Sequence, residues 1–422
     1  MKQNHLFRLT ALFSLIVASL AFSACGDDDA DGAAKPAPCT DDPAVAAEGE
    51  RELCPVVDLT KPVSFDADAS PPERLAAYNL FEWEPGTMNF RFNERVVPYE
   101  MNTELFTDYA VKMRAIYVPE GASGSFDPKR VFDFPVGSLI LKNFMLPEDM
   151  REPEKDVRLI ETRVYVHTSK GWRGYPYIWD ASGEYAFYAP GGEVRDISFI
   201  DAGGETLTSR YLVPQQNQCI QCHELKDPVT GTNFQTLIGP KARYLNRDRD
   251  YGDGPVNQLR KLEAEGLLTG LPSLDSVERA YDFRDLEGVD LEELDDDTIT
   301  KAARDYLDIN CAHCHNPQGI QGISSNLFLN YDLEEMLEGR NWEHNLGICK
   351  RPGSAGDVGN RSFDIVPGDP DDSILIFRVE STQPGQMMPV IARSLRHHEA
   401  TDLLREWVLR MEPRICGVGT EN

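Results

Sequence analysis

Two five-residue segments of this 422-residue chain carry the side chains best suited to chemistry. They are CIQCH at residues 219–223 and CAHCH at residues 311–315. Two thiols three positions apart can each reach a vinyl group of one porphyrin, and the adjacent imidazole then points at its iron. The spacing predicts two covalently attached c-type haems. The predicted attachment and ligand residues are Cys219, Cys222, His223, Cys311, Cys314 and His315.

Two other kinds of site use the same residue types and fit the pattern less well. A zinc site would pair the two C-x-x-C clusters and leave each histidine optional. A thioredoxin-type redox motif would need a βαβ pattern around it, and the sequence has none. The repeated C-x-x-C-H spacing therefore favours haem.

A methionine pair after the second motif provides a distal ligand for the second haem. Met388 precedes Pro389 in the segment PGQMMPVI and is the preferred ligand, with Met387 as the alternative. A Met/His pair raises the reduction potential of a haem, which suits reversible one-electron transfer. The alternative is that both methionines only pack in the core.

The first haem has no such ligand nearby, because residues 224–310 contain neither methionine nor histidine. The ligand would then come from elsewhere or be absent, and an open iron could bind peroxide or another small molecule. More distant candidates are Met88, Met101, Met113, Met145, Met150, His167, His344, His397 and His398, and the local ones are Lys241 and Tyr244.

The overall charge limits the partners. With 70 acidic and 42 basic residues the formal net charge is -28, so nucleic acid is excluded as a partner, because binding it requires neutralising phosphates with Lys and Arg. Nine of the sixteen residues in 282–297 are acidic. This segment is either a solvated linker or a docking patch for a basic redox protein.

The N-terminus has the pattern of an export signal. Lys2 and Arg8 accompany an apolar stretch, Leu9–Ala24, that is too short to span a membrane. Small residues before Cys25 resemble a lipoprotein cleavage site, which predicts lipidation of Cys25; the alternative is an ordinary signal peptide. We expect an exported bacterial lipoprotein at the periplasmic face of a membrane or the outer cell surface.

The pattern along the chain predicts an α+β multidomain fold. We expect a signal peptide (1–24), an acidic tether (25–60), an antiparallel β domain (61–210) and two all-α cytochrome c-like haem domains (211–290 and 296–416). Alternating β-branched residues in Leu159–His167 predict a strand. Apolar periodicity predicts helices at Asn257–Leu268, Asp297–Asn310 and Glu399–Met411.

Four cysteines remain after the lipid and haem positions are assigned. Cys39 and Cys54 lie in the tether, and a small disulfide loop is the preferred interpretation there. A second disulfide between Cys349 and Cys416 would attach the last helix to the preceding long loop.

The segment from Thr298 to Met411 resembles a class I cytochrome c domain, with an entry helix, C-x-x-C-H, a Met-Pro loop and a closing helix. Most of residues 100–411 is similar to a family of bacterial dihaem c-type cytochromes of unassigned reaction. The resemblance is carried by stretches such as YLVPQQNQCIQCH, IGPKARYLNR, ARDYLDINCAHCHNP and FDIVPGDPDDSILIFR. It implies electron transfer with Met388 as distal ligand, and it supplies no substrate.

The sequence thus predicts a membrane-anchored dihaem carrier of single electrons. A dihaem peroxidase-like oxidoreductase that uses an open first haem is the alternative. In a third interpretation the β domain binds a partner or polymer and the haems relay electrons from it.

Overall fold

Strands form most of the chain between residues 81 and 213. In chain order they are β1 (Phe81–Trp83), β2 (Phe90–Phe92), β3 (Val96–Tyr99), β4 (Val111–Tyr117), β5 (Gly124–Ser125), β6 (Leu139–Pro147), β7 (Val157–Thr168), β8 (Gly171–Trp179), β9 (Ala186–Tyr188), β10 (Glu193–Ile200) and β11 (Thr206–Val213). This computed structural model describes residues 54–319, 325–353 and 358–417. Among them, the residues from Pro55 onward belong to one compact unit.

Six of these strands form the main sheet, in the antiparallel order β3-β4-β6-β7-β8-β9. The predicted strand Leu159–His167 is confirmed inside β7. β1 pairs with β2, and β10 pairs with β11 in a separate hairpin. One face of the main sheet packs against residues between Leu237 and Ala280 and against Ile309.

Both faces of the main sheet are apolar, because each is covered by other parts of the chain. Neighbouring residues of a strand point to opposite faces, and Ile140 and Leu141 accordingly enter different cores. One core includes Leu141, Val164 and Tyr177. The core on the other face combines Ile140 and other sheet residues with residues from the second half of the chain.

After residue 213 the chain forms short helices and two-stranded pairs. The helices are α1 (Ile220–His223), α2 (Ala242–Leu245) and α3 (Gln258–Ala264). The strands are β12 (Glu224–Lys226) with β13 (Asn233–Gln235), β14 (Asp248–Asp250) with β15 (Pro255–Asn257), and β16 (Leu268–Thr269), which pairs in parallel with β5.

The helix predicted at Asn257–Leu268 is present as α3 and ends four residues earlier than expected. Gly266 has φ +69°, and Leu267 N–H donates to the Leu262 carbonyl at 2.8 Å. This 6→1 bond around a left-handed glycine is the Schellman arrangement that terminates helices. Leu268 is thereby released to pair with Gly124 of β5.

Helices follow in the last third of the chain. They are α4 (Asp296–Asn310), α5 (Leu333–Met336), α6 (Trp342–Leu346), α7 (Ile374–Glu380) and α8 (His398–Arg410). The predictions at Asp297–Asn310 and Glu399–Met411 are confirmed as α4 and α8, which pack together over a buried core. Asp295 caps α4 by accepting a hydrogen bond from Thr298 N–H at 2.8 Å.

Among the described residues, no helix is both long enough and apolar enough to cross a bilayer.

The predicted fold class is wrong. The chain is rich in β-structure with mostly short helices, and residues 211–290 contain two strand pairs and the strand β16, which pairs with β5, instead of an all-α haem domain. The physical reason is the shared core: Leu237, Leu259 and Leu268 are buried in the same cluster as Val97 and Ile116 of the sheet. Short segments that cover a sheet do not need the long amphipathic helices of a separate all-α domain.

Candidate functional site

The first motif lies on two consecutive tight turns. A 3₁₀ turn at Gln216–Cys219 runs directly into α1, so that the two thiols and the imidazole emerge from adjacent turns. Gln215 and Gln218 form a capping box at its start. The compact backbone fixes the positions of Cys219, Cys222 and His223.

The ring of His223 is held on both sides. Its Nδ1 donates to the Thr236 carbonyl at 2.7 Å, and its plane stacks on Tyr165 of β7 at 4.4 Å. Burial lowers the pKa of His223 to about 4, so the imidazole is neutral at pH 7. Because Nδ1 is used, Nε2 is the nitrogen left for a metal.

The sheet comes close to the first motif at Gly174 of β8. A methyl group at this position would lie 2.9 Å from Cys219 Sγ and 2.5 Å from the Tyr165 ring. Glycine is therefore required for this approach.

The second motif follows α4 without a break. Cys311 caps the helix, and its carbonyl accepts hydrogen bonds from Cys314 N–H at 3.1 Å and His315 N–H at 2.8 Å. Burial lowers the pKa of His315 to about 4. Its Nδ1 is buried and has no hydrogen-bond partner in the described part of the chain.

The two motifs touch each other. Cys314 Sγ donates to the Gln221 carbonyl at 3.1 Å, and one ligand atom each of Cys222, His313 and Cys314 lie within 4.8 Å of one another. This contact joins segments that the sequence separates by about ninety residues.

A cavity of 430 Å³ opens at the second motif, a size typical of ligand sites. His315 and Met388 both line it. Met387 lies on neither this cavity nor the one at the first motif. The apolar part of the wall includes Leu327, Leu329, Leu346, Ile365, Ile374 and Val379.

A smaller cavity of 160 Å³ lies between the first motif and the main sheet, and Cys219, Cys222 and His223 line it. Of the candidate distal ligands, Met101 lines this cavity. The local candidates point elsewhere: Lys241 pairs with Asp308 at 2.8 Å, and the Tyr244 hydroxyl donates to the same carboxylate. The remaining candidates line neither cavity: Met88, Met113, Met145, Met150, His167, His344, His397 and His398.

Three cations on neighbouring strands also line the smaller cavity. Arg114 of β4 stands opposite Lys142 of β6, and Lys142 stands opposite Arg163 of β7. Burial and the two arginines hold the pKa of Lys142 well below its ordinary value. Sequence reasoning missed this row, although Lys142 interrupts the apolar run LILKNF.

Asn310, directly before the second motif, is a further residue that sequence reasoning missed. It lines both cavities. Its Oδ1 accepts from Phe106 N–H at 2.7 Å, and its Nδ2 donates to the Glu104 carbonyl at 3.0 Å. One amide thereby ties the end of α4 to the segment between β3 and β4.

The residues at both motifs are compatible with covalently held haem. Their four cysteines are free thiols. Each histidine is partly buried and neutral, and each lines the cavity at its own motif. The two cavities share wall residues, namely Cys222, Asn310, His313, Pro389 and Ile391. The smaller volume at the first motif fits a porphyrin only if side chains there rearrange.

The remaining cysteines lie away from the motifs. Cys349 and Cys416 are joined by a disulfide with an S–S distance of 2.00 Å, which is the pair proposed from the sequence. Cys54 takes part in a disulfide. Its predicted partner Cys39 lies outside the described residues, as does Cys25.

Several carboxylates of the acidic segment 282–297 have structural roles. Asp295 caps α4, Asp282 pairs with Arg284 at 2.7 Å, and Asp296 pairs with Arg410 at 3.0 Å. Others, such as Asp297 and Glu292, are exposed. The docking patch and its basic partner stay predictions.

No protein-family model, curated protein or solved structure matches the chain.

Proposed function

We propose that this chain is a dihaem c-type cytochrome that transfers single electrons between redox partners outside the cytoplasm. The observation that carries the proposal is the close approach of the two C-x-x-C-H motifs, where ligand atoms of Cys222, His313 and Cys314 lie within 4.8 Å of one another. Two attachment sites in direct contact suit electron exchange between them. A pair of unrelated metal sites would have no need of such contact.

In this proposal Cys219 and Cys222 form the thioether links at the first motif, and Cys311 and Cys314 form those at the second. Haem, when bound, supplies the one-electron couple. His223 and His315 coordinate iron through Nε2. The Thr236 carbonyl holds the His223 tautomer and ring orientation, which is the usual role of a residue behind a metal ligand.

Met388 is the proposed distal ligand at the second motif, because it faces the same cavity as His315. A thioether ligand and an apolar wall both favour the reduced iron and keep water away. The residues around this cavity therefore favour a carrier with a high potential at the second site.

The exposed carboxylates and the charge of -28 support a basic protein as the redox partner. The N-terminal pattern supports export and attachment to a membrane through a lipid on Cys25. We place the protein at the periplasmic face of a membrane or on the outer surface.

The deciding experiment is an alkaline pyridine titration of the full chain produced with c-type maturation. We expect two c-type haems per chain, one after Cys314→Ala, and two after the matched change Cys349→Ala. A wild-type chain with one haem or none overturns the proposal. Stoichiometric zinc in such a chain would assign Cys222, His313 and Cys314 to a metal site instead.

A peroxidase-like oxidoreductase is the second candidate, favoured by the polar wall of the first cavity, where Lys142 and Arg163 stand beside the motif. Such an enzyme would need an open iron there. Carbon monoxide added to the reduced protein distinguishes the two: a spectral shift of one haem supports the enzyme, and no shift of either supports the carrier.

A further inference from the structure

The row of cations in the first cavity is unusual for a sheet. Arg114, Lys142 and Arg163 stand directly opposite one another on three adjacent strands. Like charges in such positions repel and destabilise a sheet. Arg114 is 2% exposed, so solvent screens little of this repulsion.

Carboxylates of the chain compensate the two outer members only. Glu104 binds Arg114 through both oxygens, at 2.9 and 3.2 Å. Glu161 binds Arg163 in the same way, at 2.8 and 2.6 Å. Each of these two arginines therefore has a carboxylate that balances its charge.

Lys142, the central member of the row, has no carboxylate partner among the described residues. Its Nζ makes no hydrogen bond or ion pair within the described ranges and lies 4.6 Å from the centre of the Phe144 ring. Arg163 packs on the same ring at 4.3 Å, and its Nη1 has no partner in the same part of the chain. Lys112, 8% exposed, adds another positive charge nearby, while Asp108 is occupied by Ser394 and Leu395.

We infer that Lys142 and its two arginine neighbours form a binding site for a carboxylate inside the first cavity. Lys142 is only partly exposed, so a carboxylate beside it would supply the counter-charge that keeps its amine protonated, and the cavity of 160 Å³ leaves room for a small group there. The planar Nη1 edge of Arg163 and the Lys142 ammonium provide two donors for one carboxylate.

Two sources can supply this carboxylate. One is a small free acid such as formate, which needs no haem. The other is a propionate of the haem at the first motif, and this version rests on the proposed function. Either source places a carboxylate against Lys142. The two sources are distinguished by which measurement responds, the Tm in formate or the potential of the first haem.

The test compares Lys142→Gln with Lys170→Gln in the full chain. Lys170 is an exposed lysine in the turn between β7 and β8, so its change removes the same charge outside the cavity. Lys142→Arg keeps the charge and serves as a second variant if Lys142→Gln does not fold.

In the first arm, thermal unfolding is followed in formate and in chloride at equal ionic strength. If the ligand is a free acid, formate raises the Tm of wild type and of Lys170→Gln until the effect saturates. The apparent affinity for formate is then at least about tenfold weaker in Lys142→Gln. In the second arm, the potential of the first haem is titrated. For a propionate, formate has no effect, and Lys142→Gln alone lowers that potential, because a positive charge near the ferric iron is lost.

The inference is overturned if formate has no effect and Lys142→Gln behaves like Lys170→Gln in both arms. It is also overturned if Lys142→Gln is simply more stable than wild type at every formate concentration. The same samples are assayed for haem by pyridine titration. A chain without haem contradicts the proposed function, whereas its formate arm still tests the carboxylate site.

Discussion

Cys314 Sγ donates a hydrogen bond to the carbonyl oxygen of Gln221 at 3.1 Å. The donor belongs to the second C-x-x-C-H motif and the acceptor lies inside the first, so the two motifs share one interface. The same interface holds Cys222, His313 and Cys314, whose ligand atoms lie within 4.8 Å of one another.

In the proposed dihaem protein, replacing Met388 by alanine should lower the potential of the second haem while leaving that haem attached. The reason is that thioether ligation stabilises the reduced iron and that Met388 lines the cavity of His315. Redox titration and the Met-to-iron charge-transfer band measure the effect. Met387→Ala is the matched control and should change neither; the reverse result would move the ligand to Met387.

Gly174→Ala should destabilise the contact between β8 and the first motif. The added methyl group meets Cys219 Sγ and the Tyr165 ring at distances that require both to move, and such overpacking costs about 1 to 3 kcal/mol. Urea unfolding measures the loss. Gly191→Ala, with open space around its new methyl group, should have almost no effect; equal effects of the two changes would argue against this close approach.

Acid should destabilise the fold through His397. Burial lowers the pKa of His397 to about 3, even though Glu399 lies 3.6 Å away, because this carboxylate is largely exposed. The unfolded chain protonates this histidine near pH 6.5, so its contribution to stability is complete above pH 6.5 and is lost as the pH falls towards 3. The expected slope from this group is at most about 1.4 kcal/mol per pH unit.

Urea unfolding between pH 7 and pH 4 measures that slope. His397→Gln should flatten it, and His398→Gln, which changes an exposed neighbour, should leave it as in wild type. A slope that His397→Gln does not alter would mean that other groups cause the acid sensitivity.

The disulfide between Cys349 and Cys416 should stabilise the C-terminal part of the chain. It closes a loop of 67 residues, and removing a crosslink of this length costs about 2 to 4 kcal/mol. The double change Cys349→Ser with Cys416→Ser, followed by urea unfolding, tests this. Haem content should be unchanged, since neither sulfur belongs to a motif; unaltered stability would show that the crosslink contributes little.

Local patterns predicted local structure well. The apolar periodicity located α4 and α8, and the β-branched alternation located β7. What the patterns could not show is which segments share a core. Short helices and strand pairs after residue 213 pack on the sheet, and this long-range packing overrides local propensity, which is why two all-α domains were the wrong expectation.

For the candidate site, too, the sequence predicted only the local part. The spacing of cysteine and histidine identified both motifs, and the segment PGQMMPVI identified Met388, which lines the second cavity. Tyr165 and the cation row belong to the sheet, far from the motifs in sequence. Asn310 directly precedes Cys311, but its contacts are with residues about two hundred positions away. Only the folded chain brings these residues to the cavities.

The core that contains both Val97 and Ile309 also constrains the order of events during synthesis. The sheet leaves the ribosome first, yet the residues that cover one of its faces follow much later in the chain. Until then, an apolar surface stays exposed and prone to association. A nascent chain interrupted after β11, before the covering residues Leu237–Ala280, would therefore be a target for chaperones and proteases.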